Sequence, residues 1–198
     1  MEARVPVMAD GKTKWTIGEY LERENTAERR HEYFQGEIFA VPGSKFIHNI
    51  IAVNLLGSLV VRVRNQPCQS FGSDRRIHIP SNTLFTYPDI SVVCGELITL
   101  DSDNQNILNP SILVEVLSAS TRYYDKGQKF DLYKDIPTLK EYVLVESEAI
   151  GTEIWRNNGQ GQWESAENKD IGDSLYLSSL DLHLSLSEIY EGTYLAAN

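Results

Sequence analysis

The stretch from Leu84 to Tyr133, LFTYPDISVVCGELITLDSDNQNILNPSILVEVLSASTRYYDKGQKFDLY, constrains this chain most. It holds two apolar β-type runs, ISVV (90–93) and ILVEVL (112–117), and each carries an acid: Asp89 opens the first behind Pro88, and Glu115 sits inside the second. A carboxylate within an apolar strand is costly to bury unless it is paired, hydrogen-bonded or bound to a metal. A near-continuous apolar run also reads as a central strand covered on both faces. The amphipathic segment that follows brings Lys126 and Lys129, so two carboxylates and a lysine converge on one region. Two carboxylates on neighbouring strands with a lysine close by point to a divalent-metal site.

Taken in order, residues 1–12 read as a loose arm. Thr16 with Glu19 forms a capping box for a short helix through Arg23. The segment HEYFQGEIFAVPG reads as one or two short strands joined at Gly36, and Glu32 lies within it. Ile47, Ile50, Ile51, Leu55, Leu59 and Val63 recur at steps of three and four, the core stripe of a helix that opens at Ser44 or Lys45. CQSFGSDRRIHIP reads as one strand with a bulge at Gly72, and TYPDISVV as another. The Asp- and Asn-rich loop from Glu96 to Pro110 is long enough to suggest a functional segment. A helix over about 125–134 follows, then a second central strand (KEYVLVES), a hairpin turning at Asn158-Gly159, a short strand at 175–177 and a terminal helix near 186–190. The order predicts one domain over residues 1–198, a mixed α/β or α+β sandwich around one sheet.

The formal net charge of −10 argues against a protein that coats nucleic acid over a broad basic surface, but not against one with a local groove. No run approaches the roughly 18 apolar residues of a membrane span, and the N-terminus lacks a signal peptide's apolar stretch. Cys68 and Cys94 show no metal or CxxC spacing and read as buried small hydrophobes. These observations predict a cytoplasmic protein.

Hydrolysing a phosphodiester requires an activated water and positive charge at the phosphoryl oxygens. Magnesium or manganese supplies both from a site of one or two carboxylates plus water. Asp89 and Glu115 are the candidate ligands and Lys129 the basic partner, with Lys126 as its alternate on the same side of the helix as Tyr133. Each has a plainer reading: Asp89 as a strand-entry acid, Glu115 as half of a structural ion pair, either lysine as a solvated helix residue.

The succession PDISVV…ILVEVLSAST…YDKGQKFDLYKDIPTLKEYVLVES, together with RHEYFQGEI and the helix bearing His48, resembles the Uma-two-like restriction endonuclease family of the PD-(D/E)xK nuclease superfamily. The resemblance runs from about Thr16 to Tyr190. It implies a restriction-endonuclease-like core, a central mixed β-sheet flanked by helices with an added β-hairpin, and an endonuclease acting on DNA with magnesium or manganese at Asp89 and Glu115. The superfamily lysine stands two residues after the second acid, where this chain has Leu117. The resemblance implies that it has migrated to Lys129. Glu32 matches a family acid that acts as a further ligand or holds water, and His48 matches a position that contacts substrate phosphate. A homodimer without membrane association is expected. The alternatives are a catalytically silent binding or regulatory protein on the nuclease fold, and a metal-dependent hydrolase of another phosphate ester.

Overall fold

In a computed structural model, which describes residues 12–100 and 105–196, the strand carrying Glu115 lies at the centre. This strand, β8 (Ile112–Leu117), is buried along its whole length. It is flanked by β6 (Ile90–Cys94) and β9 (Glu141–Glu146) within a six-stranded sheet of order β11-β10-β9-β8-β6-β3. The outer members are β3 (Cys68–Gly72), β10 (Thr152–Asn157) and β11 (Trp163–Asn168). β8 and β9 run parallel and the other pairs antiparallel, so the sheet is mixed.

Alternation along β8 sorts its side chains between two layers. Ile112, Val114 and Val116 join the core beneath the long helix α2 (Phe46–Arg62), meeting Ile51, Leu55 and Leu59. Leu113 and Leu117 join the opposite core with Phe130, Tyr133 and Tyr142. Glu115 belongs by parity to this second face. Burying each Val, Leu or Ile contributes roughly 1.5–3 kcal/mol, enough in sum for the strand to tolerate one carboxylate among them.

A second sheet closes this face. Its order is β2-β1-β5-β4-β7, built from β1 (His31–Phe34), β2 (Glu37–Ala40), β4 (Arg76–Ile79), β5 (Leu84–Thr86) and β7 (Asn106–Ile107). The helix α1 (Ile17–Glu24) lies beside it, started by the Thr16–Glu19 capping box, with Tyr20 packed on Tyr33 and Phe85. A separate two-stranded sheet, β12 (Ser174–Leu177) with β13 (Leu182–Ser185), and the short α5 (Leu186–Ile189) complete the layer under α2. The helical run between β8 and β9 consists of α3 (Arg122–Tyr124), a π-turn (Asp125–Lys129) and α4 (Phe130–Tyr133).

Three expectations are corrected here. The segment 68–80 is two strands in different sheets, because the chain turns after Gly72 and crosses over. The segment 86–93 is likewise divided at Tyr87-Pro88-Asp89, where Pro88 has no N–H to continue a ladder. The chain thus has two large sheets where one was expected. Cys68 and Cys94 are half-buried and joined by a disulfide, since the β3–β6 register sets them directly opposite. That pairing removes one of the grounds for a cytoplasmic assignment, as disulfides persist chiefly in oxidising compartments. No helix among the described residues is long and apolar enough to cross a membrane. The expected arm lies almost wholly outside the described residues.

β3 is an edge strand hydrogen-bonded to β6 alone, and the disulfide closes a separation of 26 residues. Reducing it, or replacing both cysteines with serine, is expected to cost roughly 3 kcal/mol. Thermal melts with and without reductant check this, with an unchanged Tm as the contrary result.

Candidate active site

The two sheets meet at a group of buried acids. Continuing the β6–β8 register, in which Ile90 faces Val114, by one step brings Asp89 opposite Glu115. Asp89 is fixed there because its Oδ2 accepts the backbone N–H of Val116 at 2.8 Å. The same oxygen lies 3.2 Å from Nε2 of His48, on the first turns of α2. Glu32 on β1 reaches the group from the other sheet, its Oε1 accepting the hydroxyl of Thr86.

The helical run supplies the counter-charge. Asp125, Lys129 and Tyr133 follow at steps of four and all face inward. The Lys129 ammonium stands 2.6 Å from Oε1 of Glu115, 3.5 Å from Asp125 and 3.7 Å from Glu32. Tyr133 donates its hydroxyl to the same Glu115 oxygen at 2.8 Å. Among the described residues, no hydrogen bond or ion pair falls on Oε2 of Glu115, which makes it the oxygen open to a cation.

Acid outweighs base in this group. Burial pushes the Glu115 carboxyl up to about 8, against the pull of Lys129 and with the repulsion of Asp125 and Asp89. Asp125 is also raised by burial, only partly countered by Lys129. Burial alone would lower Lys129, but Glu115, Asp125 and Glu32 outweigh it and hold the ammonium well above its ordinary value. Burial lowers His48 too, and the hydrogen bond and charge of Asp89 more than reverse this. Lys129 is thus the positive charge that Glu115, Asp125 and Glu32 share.

These residues line a cavity of about 500 Å³ open to solvent, walled by Arg30, Ser44, Lys45, Ser118, Thr121 and Tyr124 among others. Among the described residues, no three His, Cys, Asp or Glu side chains are grouped so as to hold a metal unaided. Two hard carboxylate donors with room for water suit magnesium, which keeps several waters in its shell.

The structure thus brings Asp89, Glu115, Lys129, Glu32 and His48 together. It sets Lys126 elsewhere, on the flank of the helix beside a separate cavity. There Lys126 meets Glu153 at 2.9 Å and Glu146 at 3.5 Å. Steps of four through 125, 129 and 133 describe the inward face, and Lys126 falls off it. Two participants were missed. Asp125 opens the expected helix, and its four-residue step to Lys129 is the signal in the sequence for its place in the group. Tyr133 was placed on the right side of the helix without a partner.

The family model described as "Uma2: Putative restriction endonuclease" matches residues 17–187. Two curated relatives from Synechocystis are each 36% identical. "Uncharacterized protein slr1290" aligns over 88% of this chain and 90% of its own, and "Uncharacterized protein sll1609" over 75% and 84%. A solved structure described as "a putative nuclease belonging to DUF820", from Anabaena variabilis, superposes with a TM-score of 0.72 at 20% identity, covering 89% of this chain and 97% of that one. That likeness shows a shared fold, a mixed sheet with flanking helices. From the extent of the family match and the identity of the relatives, the chain belongs to the Uma2 family.

Proposed function

We propose that this protein is a divalent-metal-dependent endonuclease that hydrolyses DNA phosphodiester bonds. The observation that carries the reading is the opposition of Asp89 and Glu115 in the floor of an open cavity, with the buried Lys129 ammonium on Glu115. Asp89 and Glu115 would hold magnesium or manganese. The ion, when bound, supplies Lewis-acid polarisation of the phosphoryl group and lowers the pKa of the attacking water.

The chain's own residues do the positioning. The Val116 N–H fixes Asp89, while Lys129 and Tyr133 together fix Glu115 through one oxygen. Lys129 and His48 add positive charge beside the place where negative charge develops on the phosphoryl oxygens, and a preorganised charge is worth most in a site sheltered from water. Glu32 steadies Lys129 from the opposite sheet. One site cuts one strand, so the reading includes a homodimer when both strands of a duplex are cut.

The test is cleavage of plasmid, linear and single-stranded DNA with magnesium or manganese, wild type beside Asp89→Asn, Glu115→Gln and Lys129→Ala. Metal-dependent cleavage is expected in the wild type, with each variant reduced by at least about a hundredfold. Cleavage that survives all three variants would sink the site. Metal binding without cleavage of any nucleic acid would favour a hydrolase of another phosphate ester, and the loss of both would favour a binding protein.

A further inference from the structure

The site is short of positive charge for a nucleic-acid ligand. The chain carries 18 basic against 28 acidic residues. Of the basic side chains lining the cavity among the described residues, Lys129 is held by three carboxylates, Arg30 by Asp74 and Ser73, and His48 by Asp89. Lys45 stands on the rim, 3.8 Å from Glu148. Phosphate neutralisation, which supplies most of the affinity of ordinary DNA-binding proteins, is therefore limited to a few contacts. Another source of binding is required.

The rim offers one. Phe46 and Tyr123 are 90% and 81% exposed, the two most exposed large hydrophobic side chains among the described residues. Each adjoins the cavity wall in sequence. Phe46 lies between Lys45 and His48 on the first turn of α2, and Tyr123 immediately precedes Tyr124 on α3. The two rim segments are drawn together by Glu148, which meets Lys45 from the first and Arg122, at 3.4 Å, from the second. A solvent-facing aromatic ring contributes nothing to the core, and its face suits a nucleobase whose own faces are uncovered. Stacking of this kind tolerates any base sequence and is independent of net charge.

We infer that Phe46 and Tyr123 are base-stacking contacts at the mouth of the cavity, and that the substrate presents unpaired bases there: a single strand, a loop or a frayed end. This deepens the nuclease reading and rests on it. Bases stacked within an intact duplex have no free face for either ring, so a duplex is served only where it opens. With few phosphates neutralised, binding has a shallow dependence on salt.

The experiment is fluorescence anisotropy of a labelled single strand of about 20 nucleotides and of its blunt duplex, with calcium in place of magnesium. The full chain is titrated as wild type, as Phe46→Ala and Tyr123→Ala, and as the ring-keeping Phe46→Tyr and Tyr123→Phe. The wild type is expected to prefer the single strand. Each alanine should weaken that binding by at least roughly fivefold, the ring-keeping variants should bind as the wild type does, and every Tm should stay close to the wild type's. Equal single-strand binding by wild type and alanine variants overturns the stacking contacts and leaves the nuclease reading intact. A preference for the duplex, or a steep salt dependence, does the same. A wild type that binds neither probe and cuts no DNA overturns both.

Discussion

Lys129→Met is expected to lower the stability of the metal-free protein by about 3–5 kcal/mol at pH 7, the cost of removing the cation that buried Asp125 and Glu32 share. Three buried carboxylates, on Glu115, Asp125 and Glu32, lie within 4 Å of this one ammonium. Methionine matches the stem of lysine but supplies no charge, so packing is largely kept and the electrostatic loss is isolated. For a chain of this size the expected fall in Tm is on the order of 10 °C. The acids most dependent on Lys129 have raised affinities for protons. Glu115 is already largely protonated at pH 7, so lowering the pH should recover part of the loss, chiefly through Asp125. A Tm within about 2 °C of wild type at pH 7 would show that the lysine is not the counter-charge of the group.

Glu115→Gln is expected to do the opposite: to stabilise the metal-free protein while abolishing its metal binding. Folding raises the Glu115 carboxyl from 4.5 to about 8, chiefly by burial. The sign follows directly. The folded state favours the protonated acid, so its contribution is fully present below about 4.5 and is lost as the pH rises through about 8. At pH 7 the loss is on the order of 3 kcal/mol, and glutamine, which never ionises, does not incur it. In chelator, Tm of the wild type should fall between pH 5 and 8 more steeply than that of the variant. Calorimetric titration with magnesium should show binding to the wild type alone. A variant less stable than wild type at pH 7 would mean that the ionised Glu115–Lys129 pair holds the fold together.

Much of the architecture was legible where a local rule acts without competition. The Thr16–Glu19 capping box, the helix over 46–62, the two central strands β8 and β9 and the hairpin at Asn158-Gly159 all follow from capping, apolar patterning or turn chemistry. The opposition of Cys68 and Cys94 was not legible, because a cross-strand register is settled by the packing of whole sheets and leaves no mark at either cysteine. Nor was the division of residues 68–94 between two sheets. A strand's period of two looks the same whichever sheet it joins, and only the turns at 73–75 and at Pro88 hint at the switch. Within the site, Asp89 and Glu115 stood out because an acid in apolar company needs a reason. Lys126 and Lys129 are separated in sequence only by the four-residue step that Lys129 shares with Asp125 and Tyr133. What separates them in the fold is that Glu146 and Glu153 take the first and the buried acids take the second.

The position of Asp89 has a mechanical consequence. It stands on the link by which the chain leaves one large sheet, at Thr86, and enters the other, at Ile90. Glu32 belongs to the first sheet, Glu115 to the second, and Lys129 touches both. The charged group is thus a rivet through two plates, and any slide of one plate over the other changes the spacing of the acids.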